Sequence, residues 1–111
     1  MATSDGEAGI ERDRVAGSAL LLRAAQRGSA EAAARVAYAF ARSHAPGTDA
    51  RARAWYAHAA DLGRVSSLRH LAILVLEGRG GPADPAEGQR LLELAAQGGD
   101  ARAAEMLQQK R

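Results

Sequence analysis

The chain has 111 residues, no cysteine and a formal net charge of +2 at pH 7. This length fits one domain of roughly 100 to 200 residues, and the lack of cysteine excludes disulfides, thiolate metal sites and cysteine nucleophiles. The 15 basic and 13 acidic residues are interleaved, which argues against nucleic-acid binding because nucleic-acid-binding domains concentrate their positive charge.

The composition favours helices. Ala, Leu, Arg, Glu and Gly dominate and aromatic residues make up only 4%, so we predict an all-α fold. Residues 1–13 lack the basic and apolar regions of a secretory signal, and no uncharged apolar run is long enough to span a bilayer. We expect a cytoplasmic protein without membrane contact, with a disordered segment over residues 1–10 and one domain over residues 11–111.

Three copies of the motif A-A-x-x-G begin at Ala24, Ala59 and Ala95, 35 and 36 residues apart. A fixed period of this length indicates one supersecondary unit stacked several times. Large residues lie four positions before each motif and small ones three positions earlier still, which places them on one helical face. We expect these residues in the core: Leu20, Leu21, Trp55, Tyr56, Leu91 and Leu92, with Gly17, Ala52 and Gly88.

A second apolar-periodic segment follows each motif, so each repeat is predicted to be a pair of helices. Gly- and Pro-containing loops, at residues 45–49 and 78–82, separate successive pairs. The six predicted helices cover residues 12–27, 30–43, 49–62, 65–77, 84–97 and 100–109.

Acidic residues mark several of these helix starts. Asp84-Pro85-Ala86-Glu87 predicts Asp84 as N-cap, Pro85 as the first helical residue and Glu87 as the second member of a capping box. Asp49 and Asp100 are expected to cap their helices similarly.

One stretch has a specific pattern. Residues 52–63 read A-R-A-W-Y-A-H-A-A-D-L-G and are followed by Leu71-Ala72, Gly78-Arg79-Gly80 and Asp84-Pro85-Ala86-Glu87-Gly88. Over about residues 14–109 the chain resembles the Sel-one-like repeat (SLR) family, relatives of the tetratricopeptide repeat. The resemblance implies a right-handed α-α superhelix of about three helical hairpins, with the helices at 30–43, 65–77 and 100–109 lining the concave face. It also implies an adaptor or scaffold that binds another protein.

Tyr38 and Ile73 occupy the same repeat position on two of these inner helices. An apolar centre with charged margins is typical of a peptide-binding surface, although a half-exposed helix flank would give the same pattern. The residues predicted to contact a partner are Tyr38, Arg42, Arg69, Ile73, Leu76 and Glu77.

No catalytic, cofactor-binding or metal-ligating set stands out. His44, His58 and His70 do not pair at a spacing of four residues, and the glycine run at residues 78–81 lacks the Lys-Ser/Thr of a P-loop. We therefore predict a binding protein without a cofactor, and not an enzyme.

Two further hypotheses concern partners. Met106 and Leu107 have no following helix to cover them, and Leu20, Leu21 and Leu22 lie at the other end of the array. Open ends of this kind favour end-to-end self-association or docking on a larger protein. An alternative function is an inhibitor, immunity-type protein or regulatory subunit acting on one bacterial protein or enzyme. The high Ala, Arg and Gly content is compatible with a GC-rich bacterial source.

Overall fold

The computed structural model describes residues 28–109, which form five α-helices joined by short turns. No strand occurs between these limits, so the predicted all-α class is confirmed for this part of the chain. Each helix agrees with its predicted range to within one residue at either end. The predicted helix over 12–27 and the predicted disordered segment over 1–10 lie outside the described residues. The helices are α1 (Ala30–Ser43), α2 (Thr48–Asp61), α3 (Val65–Glu77), α4 (Pro85–Gln97) and α5 (Ala101–Gln109).

Side chains cap three of the five helices. Ser29 Oγ accepts from the Ala32 N–H of α1 at 3.1 Å. Asp84 and Asp100 do the same for α4 and α5, at 3.1 and 3.0 Å. Such a bond satisfies one of the N–H groups that the first turn of a helix leaves without a partner. The predicted caps at Asp84 and Asp100 are thus confirmed.

Two other predictions about helix starts were wrong. The N-cap of α2 is Gly47, and Asp49 lies in the first turn, where its carboxylate accepts a hydrogen bond from Arg79 at 2.8 Å. Glu87 does not complete a capping box, because its carboxylate pairs with Arg90 at 2.7 Å. In both cases the carboxylate binds a nearby guanidinium group and does not cap the helix.

The glycine that ends each A-A-x-x-G motif has the same backbone conformation. The φ angles are 99° at Gly28, 105° at Gly63 and 101° at Gly99, in a region that L side chains rarely adopt. The backbone N–H groups of Arg64 and Asp100, one residue beyond the second and third glycines, donate to the first alanine carbonyl of their motifs at 3.0 and 2.9 Å. Equal turns therefore connect α2 to α3 and α4 to α5.

The core consists of two clusters, with α3 contributing to both. Every substantial helix contact among the described residues joins neighbours in sequence. The first cluster lies between α1 and α2 and includes Leu74 of α3, and the second joins α3, α4 and α5. The buried residues are Ala32, Ala33, Val36, Ala37, Phe40, Ala52, Tyr56, Ala59 and Leu74 in the first cluster, and Ala72, Val75, Leu91, Leu92, Ala95 and Ala103 in the second.

In this core, large residues recur at equivalent positions of successive repeats, and so do small residues. Tyr56 and Leu92 are buried at equivalent positions, as the sequence predicts, whereas Trp55 is half-buried against the first cluster. Gly88 packs directly against the Leu76 side chain, with which any Cβ at this position would collide. The absence of a side chain at Gly88 therefore lets α3 and α4 approach each other closely.

Ser67 is the one buried polar residue of the described core. Ala32, Ser67 and Ala103 occupy the same repeat position and are all buried, but Ser67 Oγ has no hydrogen-bond partner among the described residues. An unsatisfied buried hydroxyl costs about 1 to 3 kcal/mol. We therefore expect Ser67→Ala to raise the free energy of unfolding by about 1 kcal/mol in urea denaturation.

The neighbouring Ser66 offers a matched control, since Ser66→Ala changes helix propensity equally at a half-buried position. The gain at Ser67 should exceed the gain at Ser66. A loss of stability in Ser67→Ala would show that the hydroxyl is satisfied and would contradict the argument.

Candidate binding cleft

A cleft of about 230 Å³ opens beside α1 and α3. Three helices and the α2–α3 turn supply its walls. Its lining includes two guanidinium groups and two phenol rings, but no carboxylate among the described residues. The lining residues are Ala34, Arg35 and Tyr38 of α1, Tyr56 of α2, and Arg64 and His70 at and within α3.

Two aromatic rings of this lining, those of Tyr56 and His70, contact each other. Their rings stack almost parallel, at 8°, with centroids 5.1 Å apart. Tyr56 is only 3% exposed, and its burial, helped by nearby Tyr38, raises the pKa of the phenol to about 12. The Tyr56 hydroxyl is therefore neutral across the physiological pH range.

The His70 ring is fixed by a backbone carbonyl. Its Nδ1 lies 2.9 Å from Ser66 O, and because a carbonyl can only accept, Nδ1 carries the hydrogen. Burial, and then the positive charge of Arg69, lower the pKa of His70 below its ordinary value of 6.5. The neutral ring then has an unprotonated Nε2.

This lowered pKa predicts a pH dependence of stability. The unfolded chain binds the His70 proton more readily than the folded chain does, so the free energy of unfolding rises with pH in this range. The contribution of His70 is complete above pH 6.5 and decreases as the pH falls below that value. The hydrogen bond to the Ser66 carbonyl and the charge of Asp100 oppose the lowering of the His70 pKa, and Arg64 adds to it; the net shift is downward.

Urea denaturation at a series of pH values should therefore show the free energy of unfolding falling below pH 6.5. His70→Gln should flatten that slope, whereas His58→Gln, at an exposed histidine of α2, should keep it. An unchanged slope in His70→Gln would contradict the assignment.

Arg64 occupies an unfavourable position at the start of α3. It is the N-cap residue and stands at the repeat position of Ser29 and Asp100, but its side chain has no acceptor with which to cap the helix. The Ser67 N–H bonds instead to the Arg64 carbonyl at 3.0 Å. A missing cap costs about 1 kcal/mol, and a cation beside the positive end of a helix is unfavourable as well.

Of the six predicted partner-binding residues, Tyr38 is the one that lies in the described lining of the cleft. Its side chain is 54% exposed, and the guanidinium carbon of Arg42 lies 5.5 Å from the centre of its ring. The structure thus brings Tyr38 and Arg42 together at the exposed side of α1.

The other four residues lie along α3. Arg69 binds both carboxylate oxygens of Asp100, at 3.1 and 3.2 Å. Leu76 packs against Gly88 beside the second core cluster. Ile73 is half-buried, and Glu77 is exposed on the last turn of α3. Arg69 and Leu76 therefore join helices together, in addition to any role in binding.

The sequence interpretation did not select Arg35, Tyr56, Arg64 or His70 as site residues. Tyr56 was expected in the core, where its ring does lie. His70 was considered for a metal site and for a catalytic site, and the sequence favoured neither. Aligning the helix starts of the three repeats would have identified Arg64, because an arginine stands there where the other repeats have a serine and an aspartate.

No protein-family model matches the sequence, and no curated protein matches it either. Membership of the SLR family therefore stays a prediction. No helix within residues 28–109 is long and apolar enough to cross a membrane. In the same range, no group of three or more His, Asp or Glu side chains is placed to hold a metal ion.

Proposed function

We propose that this chain is a protein-binding scaffold of the SLR type, a small α-solenoid that holds a partner on the face formed by α1 and α3. The observation that carries the proposal is the position of Tyr38, an aromatic side chain 54% exposed beside a cleft. Exposed aromatic and arginine side chains around a cleft are the residues that most often dominate binding energy at protein interfaces.

The packing of the helices supports the solenoid part of this proposal. In solenoids each repeat contacts only its neighbours, which leaves extended surfaces free. The contacts between sequence neighbours and the equal turns at Gly63 and Gly99 fit that pattern. In such an array, alternate helices are the inner ones, and the alternate helices α1 and α3 both line the cleft.

The side chains around Tyr38 support binding at this cleft. Arg42 lies over the ring. Within residues 28–109, Arg35 pairs only with Glu31, at 4.0 Å, and both side chains are about two-thirds exposed. Exposed pairs of this kind contribute little energy, so a partner can displace Glu31 at small cost. The rim of the cleft thus presents the ring of Tyr38 and the guanidinium groups of Arg35 and Arg42 to a partner protein.

A site-specific photo-crosslink tests the proposal. A benzophenone amino acid replaces Tyr38, the protein is irradiated in lysate of its native cells, and mass spectrometry identifies the adducts. The matched control carries the same group in place of Leu94, an exposed apolar residue of α4 that is 39% exposed. A third protein carries it at Ile73, to show whether the interface continues along α3.

We expect a defined protein adduct from position 38 that is missing from position 94. The same adducts from both positions would show nonspecific capture and contradict the proposal. So would the lack of any adduct from position 38 in a variant whose circular dichroism matches that of the wild type.

A further inference from the structure

The charge of the cleft indicates what kind of partner segment it accepts. Arg35 and Arg64 supply two positive charges, and the described lining contains no acidic residue. Arg64 forms no ion pair within residues 28–109, and the pair between Arg35 and Glu31 is long and exposed. Two cations beside one cleft, with no acidic residue in its described lining, make the cleft electropositive and favour a bound anion.

The position of Arg64 gives a second, independent indication. Ser29 and Asp100 stand at the repeat position equivalent to Arg64, and the side chain of each caps the helix that follows it. At position 64 the chain has a residue that cannot cap and that places a cation at the positive end of α3. Departures from local structural rules of this kind are expected at functional sites, and a bound anion would compensate for both effects.

We propose that the cleft binds a carboxylate side chain from an acidic segment of the partner protein, held between Arg35 and Arg64. This inference rests on the proposed function, because it assigns the chemistry of the partner at the same site. Guanidinium groups bind carboxylates through two parallel hydrogen bonds, while the exposed ring of Tyr38 contacts the aliphatic part of the ligand. A cleft of about 230 Å³ has room for such a side chain.

Fluorescence anisotropy with defined peptides tests the inference. The probe is a fluorescein-labelled peptide of six consecutive glutamates flanked by Gly and Ser, and its twin has glutamine at the same six positions. The proteins are the full chain, Arg64→Ser, Arg35→Gln, and the control Arg102→Ser. Arg102 is exposed on α5 outside the described lining, so the control removes the same charge elsewhere.

We expect the glutamate peptide to bind the wild type and the glutamine peptide not to bind. Arg64→Ser and Arg35→Gln should each weaken binding about tenfold, and Arg102→Ser should change it less than twofold. Arg64→Ser should also melt at the same or a higher temperature than the wild type, because serine restores a cap. A loss of binding with a gain in stability cannot come from misfolding.

Three outcomes would overturn the inference: no binding of the glutamate peptide, an equal loss in Arg102→Ser, or much tighter binding of a phosphoserine peptide than of the glutamate peptide. The crosslink at position 38 separates these failures from a failure of the proposed function. A specific adduct without glutamate binding leaves the scaffold proposal standing with a partner of different chemistry. Loss of both removes the scaffold proposal as well.

Discussion

Gly80→Ala should lower the free energy of unfolding by about 3 kcal/mol, the sum of backbone strain and overpacking. The φ angle at Gly80 is +79°, which is strained for alanine, and a Cβ there would lie 2.5 Å from the backbone carbon and oxygen of Asp49. These are backbone atoms of the first turn of α2, so they cannot rotate away as a flexible side chain could. Relief would require the α3–α4 loop to move off α2.

Gly47 provides a matched control. Its φ angle of +82° is nearly the same, but no atom lies within 4 Å of the Cβ that alanine would add. Gly47→Ala should therefore cost only the backbone strain, about 1 kcal/mol. Urea denaturation followed by circular dichroism measures both, and the difference isolates the effect of the close approach. Equal losses would show that the loop moves freely and would contradict the prediction.

Two arginines hold the α3–α4 loop against α2. Arg53 Nε donates to the Arg79 carbonyl at 2.6 Å, and its Nη2 reaches three further carbonyls, including that of Gly81 at 3.1 Å. Arg79 Nη2 donates to the Ala41 carbonyl at 2.6 Å and to Asp49 at 2.8 Å. The loop thereby joins the end of α1 to the start of α2, and this is why Gly80 lies so close to the backbone of Asp49.

The helices could be predicted from the sequence because their signals are local. Apolar spacing, the glycine after each motif and the Asp84-Pro85 start act within a few residues of the feature that they determine. Glu87 is an exception among these local signals, because its pair with Arg90, three residues away, replaces the predicted capping box. Local signals therefore determined where each helix begins and ends, to within one residue.

The site could be predicted only in part. Tyr38 was identified from its repeat position, but the cleft also needs Arg64 and His70, which approach Tyr38 only after the helices pack. Sequence spacing identifies only those ion pairs of arginine that lie within one helix, three or four residues apart. Arg79 with Asp49 and Arg69 with Asp100 instead span 30 and 31 residues, and no sequence spacing distinguishes such partners.

The second large effect is expected for Arg69→Met, which should lower the free energy of unfolding by about 3 kcal/mol because it leaves a buried carboxylate without its cation. The Arg69 and Asp100 side chains are only 13% and 8% exposed. Arg90→Met is the control, since its pair with Glu87 has a shorter distance of 2.7 Å but exposures of 59% and 39%. The loss in Arg90→Met should be much smaller, because exposed ion pairs contribute little to stability; equal losses in the two variants would contradict the prediction.

The loss in Arg69→Met should also depend on pH through Asp100. Burial alone would raise the pKa of this carboxyl, but the Ala103 N–H and the Arg69 guanidinium outweigh it and hold the pKa below the ordinary value of 3.8. A carboxyl whose pKa is lowered by folding stabilises the protein fully above pH 3.8, and that stabilisation disappears as the pH falls through the folded value. The difference in unfolding free energy between wild type and Arg69→Met should therefore be large at neutral pH and shrink in acid. A difference that persists in acid would show that Arg69 stabilises the α3–α5 contact by packing its aliphatic chain and not by its charge.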